Sequence, residues 1–132
     1  MWQRIQTIYL AIAALLSGVS LAPLPYNTSG TQTLEMNDYI VLIVLCALVA
    51  AASLVTIGLF KNRTLQLNLC RLILALLAVI EVSAAYFAYA AVGADMPQVG
   101  SFFPVLAFMA TLLAIRGIRA DERLIRSMDR LR

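Results

Sequence analysis

Two sets of residues in this chain have the types and spacing to do chemistry. The first is a single residue. Glu81 is the one ionisable acid set inside an apolar run, about mid-way along residues 72–92. A carboxyl kept charged and unpaired in hydrocarbon costs several kcal/mol or more, so it marks a candidate functional position. It is either protonated or turned toward water or a partner protein. Ser53, Thr56 and Thr111, on neighbouring runs, are the hydroxyl-bearing residues that could hydrogen-bond to it. A neutral Glu81 making one interhelical hydrogen bond is the plainer role. Carrying protons or cations is the more consequential one.

The second set is a cluster. Arg116, Arg119, Arg123, Arg126, Arg130 and Arg132 fall within the last seventeen residues. At 100° per residue the first five occupy about 80° of arc on a helix. Leu124, Ile125, Met128 and Leu131 form a separate stripe. A basic amphipathic helix of this kind suits anionic lipid headgroups or the acidic surface of a partner. Asp121, Glu122 and Asp129 moderate the charge, and Glu122 is spaced to pair with Arg126. The same residues also serve as a solvated anchor that only fixes topology.

Other chemistry is thinly represented. Histidine is absent, which removes the commonest metal ligand and the commonest general base at neutral pH. No nucleophile–base pair, phosphate-binding glycine loop or metal-ligand spacing is present. The sequence therefore implies no catalytic residue, no cofactor and no metal. Cys46 and Cys70 differ in expected depth by roughly 20 Å, so they are expected as free, buried thiols.

The elements that must position these residues are apolar. Of 132 residues, 62% are hydrophobic and 13% charged, against about half and a quarter in a soluble domain. The mean hydropathy is +0.88. That is enough for several membrane spans of about 20 residues each, and too little polar sequence for a separate soluble domain. Four spans are expected, at about 5–22, 40–60, 72–92 and 101–115. Residues 116–132 follow as a tail extending the last span. Pro23 and Pro25 stop the first run, and residues 23–39 read as a polar loop. Residues 93–100 read as a short loop, and Pro104 is expected in the first turn of the fourth span, where amides lack helical partners. Ala47, Ala50, Ala51, Ala52 and Ser53, and again Ala84, Ala88 and Ala91, are small-residue patches where another helix can approach. No heptad is evident.

The loops agree on orientation. Arg4, Lys61, Arg63, Arg71 and the six tail arginines fall on one side, whereas the opposite loops carry Glu35, Asp38 and Asp95 and no basic residue. Arginine and lysine excess marks the cytoplasmic side, so both termini are expected there. The net charge of +3 belongs to one end of the chain, and no nucleic-acid partner is expected.

Three phrases carry a resemblance. They are Gln3-Arg4-Ile5-Gln6-Thr7, the stretch Lys61-Asn62-Arg63-Thr64-Leu65-Gln66-Leu67-Asn68-Leu69-Cys70, and Leu113-Ala114-Ile115-Arg116-Gly117-Ile118 with Asp121-Glu122 and Asp129-Arg130-Leu131-Arg132. With them the chain resembles, end to end, an uncharacterised four-span membrane family of Bacteroidota, a DUF4293-like domain of unknown function. The resemblance implies a bacterial inner-membrane location and assigns no activity or catalytic residue.

The expectation is thus a single all-α domain over 1–132, an integral membrane four-helix bundle with a cytoplasmic amphipathic helix at its C-terminus. Its expected role is that of a non-enzymatic scaffold or accessory subunit. Its basic face, from Arg4, the Lys61–Arg71 loop and the tail helix, would meet the lipid bilayer, anionic headgroups, a protein partner or a second copy. The alternative is a small carrier or channel using Glu81.

Overall fold

The computed structural model describes residues 2–20, 22, 25–29, 32–35, 38–92, 96–97 and 99–132; for 2–4, 26–29, 32–35, 91–92 and 96–97 it describes the backbone only. Pro23, Gly30 and Asp95, and the side chains of Trp2, Arg4, Glu35 and Ala91, lie outside what is described. In chain order the elements are α1 (Trp2–Val19), β1 (Pro25–Ser29), β2 (Gln32–Glu35), α2 (Ile40–Gly58), α3 (Arg63–Val92), β3 (Met96–Pro97) and α4 (Val99–Arg130). Three of the helices, α2, α3 and α4, are long and apolar enough to cross a membrane. The apolar part of α1, Ile5–Val19, is shorter.

The helices pack in cyclic order, α1 on α2 and α4, and α3 on α2 and α4. Their buried positions explain how. α1 buries Gln6, Leu10, Ala13, Ser17 and Ser20; α2 buries Leu42, Cys46, Val49, Ser53 and Thr56. α3 buries Gln66, Cys70, Ile73, Leu77, Ile80, Ala84 and Ala88. α4 buries Gly100, Pro104, Ala107, Thr111, Ala114 and Ile118 along the same line. Through most of their length the seams advance by alternating steps of three and four, the spacing of a left-handed coiled coil. α3 ends on two steps of four, Ile80 to Ala84 to Ala88, and α4 also buries Ala110 and Ile115 beside its line. A heptad is therefore present in all four helices. It is hidden in the sequence because the outward positions are apolar too, Leu48, Leu54, Val82 and Met109 among them, so no polar contrast marks the seam.

Two other expectations need correction. The small-residue patch of α2 does not face a neighbour as a unit: Ala47 and Ala51 are exposed, Ala50 and Ala52 half-buried, and only Ser53 buried. Those alanines are rotated off the 42–46–49–53–56 line. Pro104 lies inside α4, beyond the first turn, because the helix starts at Val99. It removes the rung that would end on the carbonyl of Gly100. α3 begins at Arg63, so the turns through Gln66, Asn68 and Arg71 that precede the expected span belong to the same helix.

The two loops at the other end are also more than loops. β1 pairs antiparallel with β2 and with β3, giving a small sheet of order β2-β1-β3. The pairing register shifts between Pro25 and Asn27. Proline lacks the amide a regular ladder would use, and Pro97 is tolerated because β3 is an edge strand. Beside this sheet, Tyr39 stacks on Phe87 with ring centroids 4.3 Å apart and planes 10° apart, joining the start of α2 to α3.

Candidate functional site

The end of the molecule opposite the sheet gathers polar side chains from all four helices. On α3, Gln66 is 5% exposed, and its Nε2 donates to the carbonyl of Thr56 on α2 at 3.3 Å. On α1, Gln6 is 4% exposed and packs against Gly117 of α4, where a Cβ would come within 3.1 Å of its Cγ. Its Nε2 is buried without a hydrogen-bond partner among the described residues. Glycine at 117 leaves room for the Gln6 side chain, which would have to give by a few tenths of an ångström for any Cβ there.

A charge pair closes this layer. Arg63, at the start of α3, sits 3.0 Å from Asp121 of α4, and both side chains are largely covered. Beneath lies an apolar cluster of Leu10, Cys70, Ala114, Ile115 and Ile118. The three phrases that carry the family resemblance, far apart in sequence, meet here. Cys46 belongs to a different cluster, with Leu42, Val49 and Ile73, and both cysteines are free and buried.

Beyond Asp121 the tail continues as helix to Arg130. Glu122 accepts from Arg126 at 2.7 Å, the pair its spacing predicts. Leu124, Ile125, Met128 and Leu131 are 40–89% exposed, so the apolar stripe has no cover within the chain. The stripe arginines line two adjoining concavities. Arg119, Arg123 and Arg126 line one with Arg71 of α3, and Arg123 and Arg126 also line the other, with Ser127, Arg130 and Leu131. Arg116 is exposed and lines neither. Arg71 belongs to the Lys61–Arg71 stretch expected in the basic face, whereas nothing singled out Gln6 and Gln66 as site residues. The signal available for the glutamines was their place in the three-and-four seam.

A family described only as a domain of unknown function, DUF4293, matches residues 2–131. The chain belongs to this family. No curated protein and no solved structure matches it. DUF4293 membership thus covers all four helices and the sheet, and it assigns a role to none of them.

Glu81 lies elsewhere in this DUF4293 chain. It is half-buried, and its Oε1 is enclosed by protein. The Tyr39–Phe87 stack and the Gln66–Thr56 hydrogen bond fix the antiparallel register of α2 and α3. That register sets Glu81 level with the Leu42–Cys46 turn, and it lies close enough to Cys46 to act on it electrostatically. The expected neighbours are not at that level. Ser53 and Thr56 lie about two turns or more along α2, and Thr111 more than a turn along α4. Each of the three hydroxyls donates instead to the carbonyl four residues earlier on its own helix, at 2.8, 2.6 and 2.8 Å.

Proposed function

We propose that this protein is a four-span component of the bacterial inner membrane with both termini in the cytoplasm. It works without catalysis, as a scaffold or accessory subunit presenting its basic end to lipid and to a partner. One observation carries the membrane reading. The inward seams hold Gln6, Ser17, Ser53, Thr56, Gln66 and Thr111, while the outward mid-helix surface is leucine, isoleucine, valine and tyrosine. Monomeric soluble proteins rarely expose contiguous apolar patches beyond a few hundred Å². Polar groups inside and apolar groups outside suit a hydrocarbon solvent, in which hydroxyls are satisfied within the helices.

Length supports a division of labour in the tail. α4 has 32 residues, about 48 Å at 1.5 Å per residue, against a hydrocarbon core of about 30 Å. With Val99 near one boundary, Ile118 reaches the other, and Arg119 and Arg123 lie at headgroup depth. The stripe of Leu124, Ile125, Met128 and Leu131 then projects into the cytoplasm, available to a protein partner or a second copy. α1 is short for a span, and its flanks complete the crossing, with local thinning of the bilayer.

Cysteine labelling tests the arrangement. Placed at Asn62 or Ser127, a cysteine is expected to be protected from impermeant maleimide on intact spheroplasts. At Ser29 or Gln98 it is expected to react. The reverse pattern would overturn the reading. Purification in mild detergent, with mass spectrometry of what co-purifies, then identifies the partner. A small carrier or channel is a second reading, favoured by the enclosed Glu81 oxygen within the span.

A further inference from the structure

We propose that the cleft between α3 and the start of the tail is a binding site for one anionic phospholipid, with its phosphate held by Arg71, Arg119 and Arg123. The cleft has a volume of about 330 Å³ and is lined by Leu67, Arg71, Arg119, Glu122, Arg123 and Arg126. Four arginines and one glutamate thus line it. That carboxylate, Glu122, is taken by Arg126 at 2.7 Å. Asp121, the other nearby acid, is taken by Arg63 at 3.0 Å. Among the described residues, no carboxylate pairs with Arg71, Arg119 or Arg123. Three arginines from two helices thus line one concavity with no carboxylate paired to them, Arg71 donating only to the neutral amide oxygen of Asn68 at 3.4 Å. Guanidinium forks match phosphate oxygens, often two at a time, better than any other side chain.

A free phosphate and a lipid headgroup share that chemistry. The surface above the cleft favours lipid. Continuing along the α3 face that carries Arg71, by steps of about a turn, leads to Ala78, Val82 and Tyr86. These residues, with Val79 and Ser83, line an apolar concavity of about 460 Å³. Ser83 adds no polarity to it, because its hydroxyl donates to the carbonyls of Val79 and Ile80 on its own helix. Basic pockets between spans on the cytoplasmic side are where anionic headgroups dock. An acyl chain lying on the Ala78–Tyr86 face brings its phosphate down to Arg71. Charge below and hydrocarbon above, on one helix face, fit a phospholipid and not a soluble ion.

The inference rests on the membrane orientation proposed above, and its test separates the two. Full-length protein in mild detergent is offered phosphatidylglycerol and phosphatidylethanolamine with identical chains, and bound lipid is counted by native mass spectrometry. The expected result is one retained phosphatidylglycerol, preferred by roughly tenfold or more. R71Q combined with R123Q is expected to lose that preference, and R116Q combined with R130Q to keep it. Both double variants remove two charges, so equal losses would mean diffuse electrostatics and overturn the site. Equal retention of the two lipids by the wild type would overturn it as well. Inorganic phosphate or glycerol phosphate at millimolar concentration is expected not to displace the lipid. Full displacement would assign the cleft to a soluble phosphate instead. V82W, which fills the apolar concavity, is expected to weaken retention while elution and circular dichroism stay as in the wild type. Unchanged retention in V82W would overturn the chain placement. Reversed maleimide labelling would sink the orientation itself, whereas normal labelling with no lipid preference would sink this inference alone.

Discussion

The two ends of this molecule are held together by different means. At the sheet end, backbone pairs with backbone: β1 bridges β2 and β3, and one aromatic stack ties α2 to α3. At the tail end only α4 continues, α2 turns tightly into α3, and side chains make the joins between helices: Gln66 to Thr56, Gln6 against Gly117, Arg63 to Asp121. Backbone pairing places few demands on side-chain identity. Side-chain joins do place them, because each needs a specific donor, charge or absence of a Cβ. The tail end should therefore be sensitive to single substitutions at several positions, and the body of the molecule chiefly at Glu81.

The largest expected effect breaks that pattern on purpose. Glu81→Lys, placing a cation inside the apolar span, should destabilise the folded protein by about 3 kcal/mol. Detergent-resistant thermal melts would register it, and a melt unchanged from wild type would mean that Glu81 faces water. Glu81→Gln keeps shape and bonding capacity and should melt as wild type does. Proteoliposomes of the two should show the same proton or cation flux. A flux present in wild type and lost in Glu81→Gln would replace the scaffold reading with the carrier.

The next effect sharpens the contrast at the tail end. Gly117→Ala pushes a Cβ to 3.1 Å from Gln6 Cγ, so the Gln6 side chain must shift by a few tenths of an ångström. A net loss of about 1 kcal/mol is expected, because the alanine's helix preference offsets part of the crowding. Gln6→Met removes a buried amide nitrogen that has no partner among the described residues and keeps a flexible chain of similar length. It should raise stability by about 1 kcal/mol and partly rescue Gly117→Ala. Independent, additive effects in a double-mutant cycle would mean that the two residues do not touch.

Two ion pairs rank the remainder. Asp121→Asn should cost about 1 kcal/mol, because the Arg63–Asp121 pair is mostly covered and its loss leaves a half-buried guanidinium. Glu122→Gln, in an exposed pair four residues apart, should cost about 0.3 kcal/mol or less. If high salt weakened the first as much as the second, the first would be as exposed as the second and the closed layer would not exist.

Helix type and count follow from the sequence alone. An apolar run as long as Ile40–Gly58 satisfies its backbone best as helix, whatever it packs against. The charge asymmetry and the Glu122–Arg126 pair were likewise legible, since both depend on local spacing. The continuation of α4 through the tail was legible too, because the arginine stripe has helical period. The seams were not, because the outward positions are at least as apolar as the inward ones, so the usual polar contrast that marks a packed face is missing. The neighbours of Glu81 were misjudged for a related reason: depth along one helix does not fix depth along the next until an interhelical register is known. That register, set by Tyr39 on Phe87 and Gln66 on Thr56, is a product of tertiary packing. So is the convergence of Arg71 with Arg119 and Arg123, which are about fifty residues apart in the chain and adjacent only once α3 and α4 lie side by side. Local period and charge are properties of one segment. Register and convergence belong to pairs of segments, and only the fold brings those pairs together.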